Sequence, residues 1–183
     1  MLITLLQLEK EAILFEESVE VGAVEFGPEI EQRGAMRTEG RADLVEEHHG
    51  PREIILDIRL RAAYEGYFAV PCARCLEPVE HAIKGKFDLI FRPLGVDAGG
   101  SEQSITEVET EIGYYQKDSL ILEDVLREQV LLSLPAKTLC REDCKGLCPR
   151  CGCNLNRESC ACETSPTDPR WSALADLSSR LKS

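Results

Sequence analysis

From Glu53 to Val70, apolar side chains recur at alternate positions. Ile54, Leu56, Ile58, Leu60, Ala62, Tyr64, Phe68 and Val70 form one set, broken at Gly66, while Asp57, Arg59, Arg61 and Glu65 lie between them. A period of two puts the first set on one face of a pleated strand and the second in water. The run is longer than an ordinary strand, which predicts a bend or bulge near Gly66. His48-His49-Gly50-Pro51 reads as a turn before it, with Met36–Val45 as its partner across a hairpin. The period returns at Ile83, Phe87, Leu89 and Phe91, alternating with Lys84, Lys86 and Asp88. Cys72–Pro78 is then the connection between two long strands.

The remaining elements follow the same logic. Leu2–Leu8 and Ala12–Phe15 read as strands, Val19–Phe26 as a strand or Glu-rich loop, and Ile112–Tyr115 as a short strand. Leu94–Ser104 holds three glycines and reads as a flexible loop. The spacing turns helical after Ser119, the expected N-cap: Leu122, Val125, Leu126 and Val130 share a face, Glu123 and Arg127 lie four apart on the exposed side, and Pro135 marks the end. A last helix is expected from Asp168 as N-cap and Pro169 in the first turn. Trp171, Leu174, Leu177 and Leu181 make its stripe, and Arg180 and Lys182 suit its C-terminal end. The expected fold class is α+β: an antiparallel sheet, barrel-like by partial closure, with a packed helix and a C-terminal cysteine module. Residues 1–135 would form a mainly β body with helix 119–134. Residues 136–183 would form the module and last helix, docked to the 72–78 connection.

Composition narrows this. The chain has 183 residues and 43% hydrophobic content, enough for a core and against global disorder. No run of about 18 apolar residues predicts a membrane span. The start, MLITLLQLEKEAILFEESVE, lacks a basic segment and gains acids by Glu9, so no secretory signal is expected and the cytoplasm is the expected compartment. The formal charge is −12, from 33 acidic and 21 basic residues. It is unevenly placed: residues 1–50 carry net −8 and 94–134 net −7, while 51–93 and 135–183 are near neutral. Such a body argues against coating nucleic acid by bulk electrostatics.

Nine cysteines change the picture most. Cys72 and Cys75 form one pair, and the other seven fall between Cys140 and Cys162. In a reducing compartment, clustered cysteines point to metal rather than disulfides. Cys148-Pro-Arg-Cys151-Gly152 has zinc-knuckle spacing: two intervening residues let both sulfurs reach one tetrahedral ion, and Gly152 supplies the left-handed turn that aims backbone N–H groups at sulfur. Cys160 and Cys162 would close this site. Cys72, Cys75, Cys140 and Cys144 are two pairs that each lack a partner, and together they supply a second set of four. Cys153 is the spare, although it could exchange with Cys160. Two structural zinc ions are therefore expected. Cys72-Ala-Arg-Cys75 does not open a helix after a strand, as a thioredoxin-like redox motif does. His48 and His49 read as exposed turn residues and His81 as a solvent-facing strand residue. No catalytic residue is assigned: the chain has no phosphate loop, dinucleotide fingerprint, HExxH or GxSxG motif.

Three segments then resemble a known family. Cys-Ala-Arg-Cys-Leu-Glu-Pro at 72–78, the run Lys-Gly-Leu-Cys-Pro-Arg-Cys-Gly-Cys-Asn-Leu-Asn within 140–162, and Asp168-Pro169-Arg170-Trp171 are similar to the YceD family, named for accumulation of the large ribosomal RNA. The resemblance is weak before residue 50 and specific after 70. It implies a bacterial, cytoplasmic role in 23S rRNA synthesis, processing or stability, and so in large-subunit assembly. It implies no catalytic residue. Relatives with His or Cys near positions 140 and 144 fit the pairing of those positions with Cys72 and Cys75.

Two partners are consistent with these features, and neither is a membrane or a small-molecule substrate. Arg74, Arg141, Lys145, Arg150 and Arg157 lie on the cysteine-bearing turns, where they could reach phosphates of structured ribosomal RNA. Alternatively, the acidic body would attract a basic large-subunit ribosomal protein, as an adaptor or chaperone. Two four-thiolate zinc sites would make the loaded protein still more acidic, about −16.

Overall fold

The structure is a computed structural model that describes residues 1–48, 54–96 and 112–162. Its elements in chain order are β1 (Leu2–Thr4), α1 (Leu5–Leu8), β2 (Ile13–Val19), β3 (Glu31–Gln32), β4 (Met36–His48), β5 (Ile54–Pro71), β6 (Pro78–Pro93), β7 (Ile112–Tyr115), β8 (Ser119–Ile121) and α2 (Leu122–Ser133). The expected turn at 49–51, most of the 94–104 loop, and the helix from Asp168 with Trp171 lie outside the described residues.

The alternating run forms the centre of the sheet. β5 pairs antiparallel with β4 from Arg37↔Glu65 to His48↔Ile54, and with β6 from Ile58↔Phe91 to Pro71↔Pro78. The pairing of β5 with β6 passes through Gly66↔Ile83 without a slip, whereas on the other side of β5 the β4 ladder stops at Glu65 and β3 resumes at Phe68, so the irregularity expected near Gly66 falls on that side alone. Ile58, Leu60, Ala62, Tyr64 and Phe68 are buried, as the period requires. Charges fill the other face: Asp43 bridges Arg41 at 2.6 Å and Arg61 at 2.7 Å, and Asp88 takes two bonds from Arg59. Asp57 departs from the expectation. It is buried, because Arg92 of β6 meets it at 3.0 Å.

The barrel does not form. The strands run in the order β2-β4-β5-β6-β7, with β3 beside β5, and β1 and β8 make a separate two-stranded ribbon. Closure needs end strands that overlap with a fixed stagger. Here the ends are β2, seven residues long, and β7, four residues long and parallel to β6. Among the described residues the architecture is mostly sheet with two helices, and the α+β reading stands in that form.

Two helix expectations change. The first strand stops at Thr4, whose hydroxyl and backbone enter a capping box with Gln7 and start α1. Ser119 does not cap α2. It pairs with Thr4 in β8, Ile121 holds the N-cap position, and the Leu122 N–H donates instead to the Met1 carbonyl at 3.1 Å. The stripe of α2 is as expected, with Leu122, Val125, Leu126 and Val130 buried. Arg127 does not pair with Glu123; its Nε donates to the Glu25 carbonyl at 2.6 Å. α2 is tied to the sheet by Tyr64, whose hydroxyl donates to the Gln129 carbonyl at 3.0 Å and lies 2.6 Å from Ser133 Oγ. Gly85 makes room for that phenol, since a Cβ there would lie 2.4 Å from Tyr64 Oη. Beyond β2 the chain adds Val24 and Phe26 to the core as loop residues, and Phe26 meets Phe68 edge-on at 4.9 Å.

Candidate metal centre

The long β5–β6 hairpin carries its connection to the end of the sheet. There Cys72 and Cys75 lie on a tight turn: the Cys72 N–H donates to the Glu77 carbonyl at 2.8 Å, and the Leu76 N–H to the Cys72 carbonyl at 2.9 Å. The chain leaving α2 returns to this turn. Thr138 is buried against it, its carbonyl accepting from the Ala73 N–H at 2.8 Å and its hydroxyl 3.2 Å from His81 Nε2. His81 therefore belongs to the docking of this segment rather than facing solvent.

This return brings together Cys72, Cys75, Cys140 and Cys144. Their sulfurs all lie within 4.8 Å of one another. Cys72 and Cys144 are 3.9 Å apart, and Cys75 and Cys140 3.6 Å. A regular tetrahedron with zinc–sulfur bonds of about 2.3 Å has edges of about 3.8 Å, whereas a disulfide needs about 2 Å. The spacing is that of a metal quartet, and every cysteine is a free thiol. Cys72, Cys75 and Cys144 are buried, with Val79, Leu139 and Leu147 packed around them. Cys148, Cys151, Cys160 and Cys162 form a second quartet within the same 4.8 Å limit. It is more open: Cys148 is buried, Cys151 exposed, and Cys160 and Cys162 half-buried. Cys153 stands outside both quartets, beside Cys151 and Cys160.

The two pairs on tight turns are the same structure written twice. In each, the residue after the second cysteine has positive φ, +62° at Leu76 and +75° at Gly152. In each, its N–H returns to the carbonyl of the first cysteine at 2.9 Å. The first sulfur of each turn then faces backbone donors. Burial opposes ionisation of Cys72, but the N–H groups of Arg74, Cys140 and Cys75 outweigh it and bring the thiol down to about 6. The N–H groups of Cys151 and Arg150, with the Cys160 thiol, lower Cys148 to about 6 against its burial. Cys140 goes the other way: burial and the neighbouring Cys144 and Cys75 sulfurs push it up to about 12. The left-handed turn expected at Gly152 is present; its twin at Leu76 carried no glycine to signal it. An L-residue in this region costs about 1–2 kcal/mol, while glycine loses about 0.5–1 kcal/mol of chain entropy. Leu76→Gly is expected to leave the melting temperature unchanged or slightly raised. Leu76→Val, β-branched, should lower it, and thermal unfolding of the metal-loaded protein reads both.

The profile of a family described as large ribosomal RNA subunit accumulation protein YceD matches residues 60–178, well over half of the chain. The chain belongs to the YceD family. An uncharacterized protein of Mycobacterium tuberculosis is 34% identical over 131 residues, 67% of this chain and 60% of its own length. One of Mycobacterium leprae is 29% identical over 134 residues, covering 68% of this chain and 58% of that protein. A chloroplastic protein of Arabidopsis thaliana, named large ribosomal RNA subunit accumulation protein YCED homolog 1, is 32% identical over 57 residues, 31% of this chain and 18% of its own. The chain thus spans about 60% of the length of the Mycobacterium tuberculosis relative. No solved structure gives a significant match. The YceD match begins inside β5, and residues 60–178 include both quartets.

In this YceD chain three of the five basic residues on the cysteine-bearing turns are engaged. Arg74 reaches inward, donating to the carbonyls of Glu142 at 3.1 Å and Cys144 at 2.8 Å. Its own carbonyl accepts from the Leu147 N–H, and Gly146 is required there, since a Cβ would come within 2.9 Å of that oxygen. Arg141 donates to Asn156 Oδ1 at 2.8 Å, and Arg157 pairs with Glu77 at 2.6 Å. Lys145 and Arg150 are exposed, and among the described residues neither has an ion pair.

Three residues that lie within the quoted motifs but were assigned no role there join the quartets. Asn156 Nδ2 donates to Cys144 Sγ at 3.3 Å while its Oδ1 accepts from the Lys145 N–H. Asn154 Oδ1 accepts from both nitrogens of Asn156, and Asn154 Nδ2 donates to Glu77 at 3.0 Å. Glu77 thus links the turn of the first quartet to the loop of the second. The available signal was compositional: two asparagines and one acid inside cysteine-bearing turns, where side chains bond to nearby backbone.

Proposed function

We propose that this chain is a non-enzymatic factor that supports 23S rRNA accumulation, and through it large-subunit assembly, with one structural zinc ion in each quartet. The family name supports the ribosomal RNA part of this reading. The observation that carries the rest is the donor set: eight sulfurs in two closed fours, the first largely buried. A catalytic zinc keeps one position for water and draws on nitrogen or oxygen ligands, whereas four thiolates join chain segments. Bound zinc would supply a cross-link between the β5–β6 turn and the 140–144 segment. The residues of the chain do the rest: Asn156 and the Gly146 N–H favour the ionised form of Cys144, and the turn N–H groups that of Cys72.

The test is genetic and chemical together. In cells lacking the gene, 23S rRNA is expected to fall and to recover with the wild-type gene, but not with one carrying Cys72→Ser and Cys148→Ser. Full recovery with that double variant would remove the metal from the mechanism. Purified protein is expected to hold about two zinc ions, and iron in their place would overturn the zinc assignment.

A second reading concerns the partner. Of the five basic residues on the cysteine-bearing turns, Arg74, Arg141 and Arg157 are turned to internal acceptors, and Lys145 and Arg150 have no ion pair among the described residues. Two unpaired cations on these turns make a poor phosphate-binding surface on a chain of charge −12. This favours an adaptor for a basic ribosomal protein over direct RNA contact. Recovery of such a protein after RNase treatment is the expected result, and recovery only with intact RNA would reverse the choice. The proposed compartment is the cytoplasm. Among the described residues, no helix is long and apolar enough to cross a membrane.

A further inference from the structure

β2 is an outer strand of the six-stranded sheet, and its partner is β4, from Ile13↔Ala42 to Val19↔Met36. Among the described residues, no backbone group of 13–19 bonds to backbone beyond that ladder. The Val19 carbonyl is taken by the Gln32 side chain at 2.8 Å, which closes one end. Among the described residues the rest is an open edge, a ready template for another strand. Proteins guard such edges, most often with lysine, proline or a bulge. Here the guards are acids on both faces. Glu17 shares the side of Phe15 and Val19, Glu16 lies on the other, and both are exposed. Glu16 also stands directly opposite Glu39 in the register, a like-charge pair that costs stability, and no ion pair holds either among the described residues. Leu14, 74% exposed, adds an apolar contact at the start of the strand.

These features select the occupant. A second copy would bring acid against acid, and nucleic acid is repelled for the same reason. A basic strand would relieve the Glu16–Glu39 repulsion and pair its main chain with the free edge. We infer that the β2 edge accepts an extended segment of a partner protein carrying adjacent Lys or Arg residues, added to the sheet as a further strand. Adjacent basic residues are required because successive side chains of a strand point to opposite faces, and Glu16 and Glu17 occupy both. This inference deepens the adaptor reading and rests on it.

The probe is a labelled synthetic peptide, Val-Lys-Arg-Val-Lys-Arg-Val, titrated into the full chain. Binding should slow amide exchange at residues 13–19. It should weaken by about tenfold or more with Glu16→Lys and Glu17→Lys together, which leave the folded circular dichroism spectrum in place. The same peptide N-methylated at alternate amides keeps its charge but cannot pair, and should also bind about tenfold more weakly or worse. Equal binding of the methylated peptide, protection at other residues only, or no binding would each overturn the site. The two levels separate cleanly. Loss of RNase-resistant recovery of a basic protein removes the adaptor reading, whereas recovery with β2 left unprotected removes the edge alone.

Discussion

Cys72→Ser is expected to lower the metal content by one ion per chain and to release the 138–147 segment from the hairpin turn. Cys72 is fully buried, it faces Cys144 at 3.9 Å, and its sulfur collects three backbone N–H groups. A serine there offers a harder, protonated oxygen to a buried set of sulfurs. Structural zinc in small sites contributes about 10–16 kcal/mol of apparent binding free energy, which is folding free energy for whatever it joins. The described contacts that remain at this junction are few: the Thr138 and Arg74 bonds, and the small apolar cluster around Val79, Leu139 and Leu147. Loss of one thiolate should therefore destabilise the junction by on the order of 5 kcal/mol. Metal analysis and thermal unfolding read the result. Cys148→Ser should also remove one ion yet leave the first quartet loaded, because the second loop is tied to it by hydrogen bonds and ion pairs of Asn154, Asn156, Arg157, Arg141 and Glu77 and shares no sulfur with it. Unchanged metal content in Cys72→Ser would remove the first quartet as a site.

The same geometry gives metal affinity a pH dependence with a definite sign. Metal binding needs thiolates, and it must expel the protons that Cys140 and Cys162 hold with values pushed up to about 12. Affinity should thus rise with pH. It should fall steeply once the pH drops through about 6, where Cys72 and Cys148, ionised above that value, also take up protons.

How much of this was legible depended on how local each cause is. The period of two in residues 54–70 is written in successive side chains, and the strand is there. The pairing of Cys72 and Cys75 with Cys140 and Cys144 was legible for a different reason. A tetrahedron needs four ligands, so two incomplete pairs imply each other across any separation. What was not legible depends on a distant neighbour. Ser119 has the chemistry of a cap, but β1 recruits it into a ribbon. Leu76 adopts a glycine conformation because the turn around Cys72 demands it, and nothing in its own identity says so. The open sheet depends on how short β2 and β7 are beside β5, a global comparison that no local pattern carries. Asp57 looked like one more solvated charge of an alternating strand, and it is the clearest case.

Asp57 and Arg92 are both buried, and bonds of 3.3 and 3.0 Å join them where β5, β6 and β7 meet. Arg92 also reaches Glu47 at the end of β4. Burial pushes the Asp57 carboxyl above its ordinary value, and the Arg92 bonds do not fully reverse it. A raised carboxyl means the folded state binds its proton more tightly than the unfolded chain. Asp57 therefore does not drive acid unfolding; its contribution weakens as pH rises from the ordinary carboxyl value through the raised one. The pair is consequently a device of position rather than a source of net stability. Breaking it is another matter, because one partner is then left charged and dry. Arg92→Met is expected to destabilise the protein by about 3–5 kcal/mol at neutral pH, less in acid where Asp57 can neutralise. Asp57→Leu combined with Arg92→Met should recover most of that loss, since both buried charges are then gone and Glu47 is 45% exposed to water. Denaturant unfolding of the single and double variants at two pH values decides it. A double variant as unstable as Arg92→Met alone would mean that the pair, and not the burial of its charges, holds the sheet together at this end.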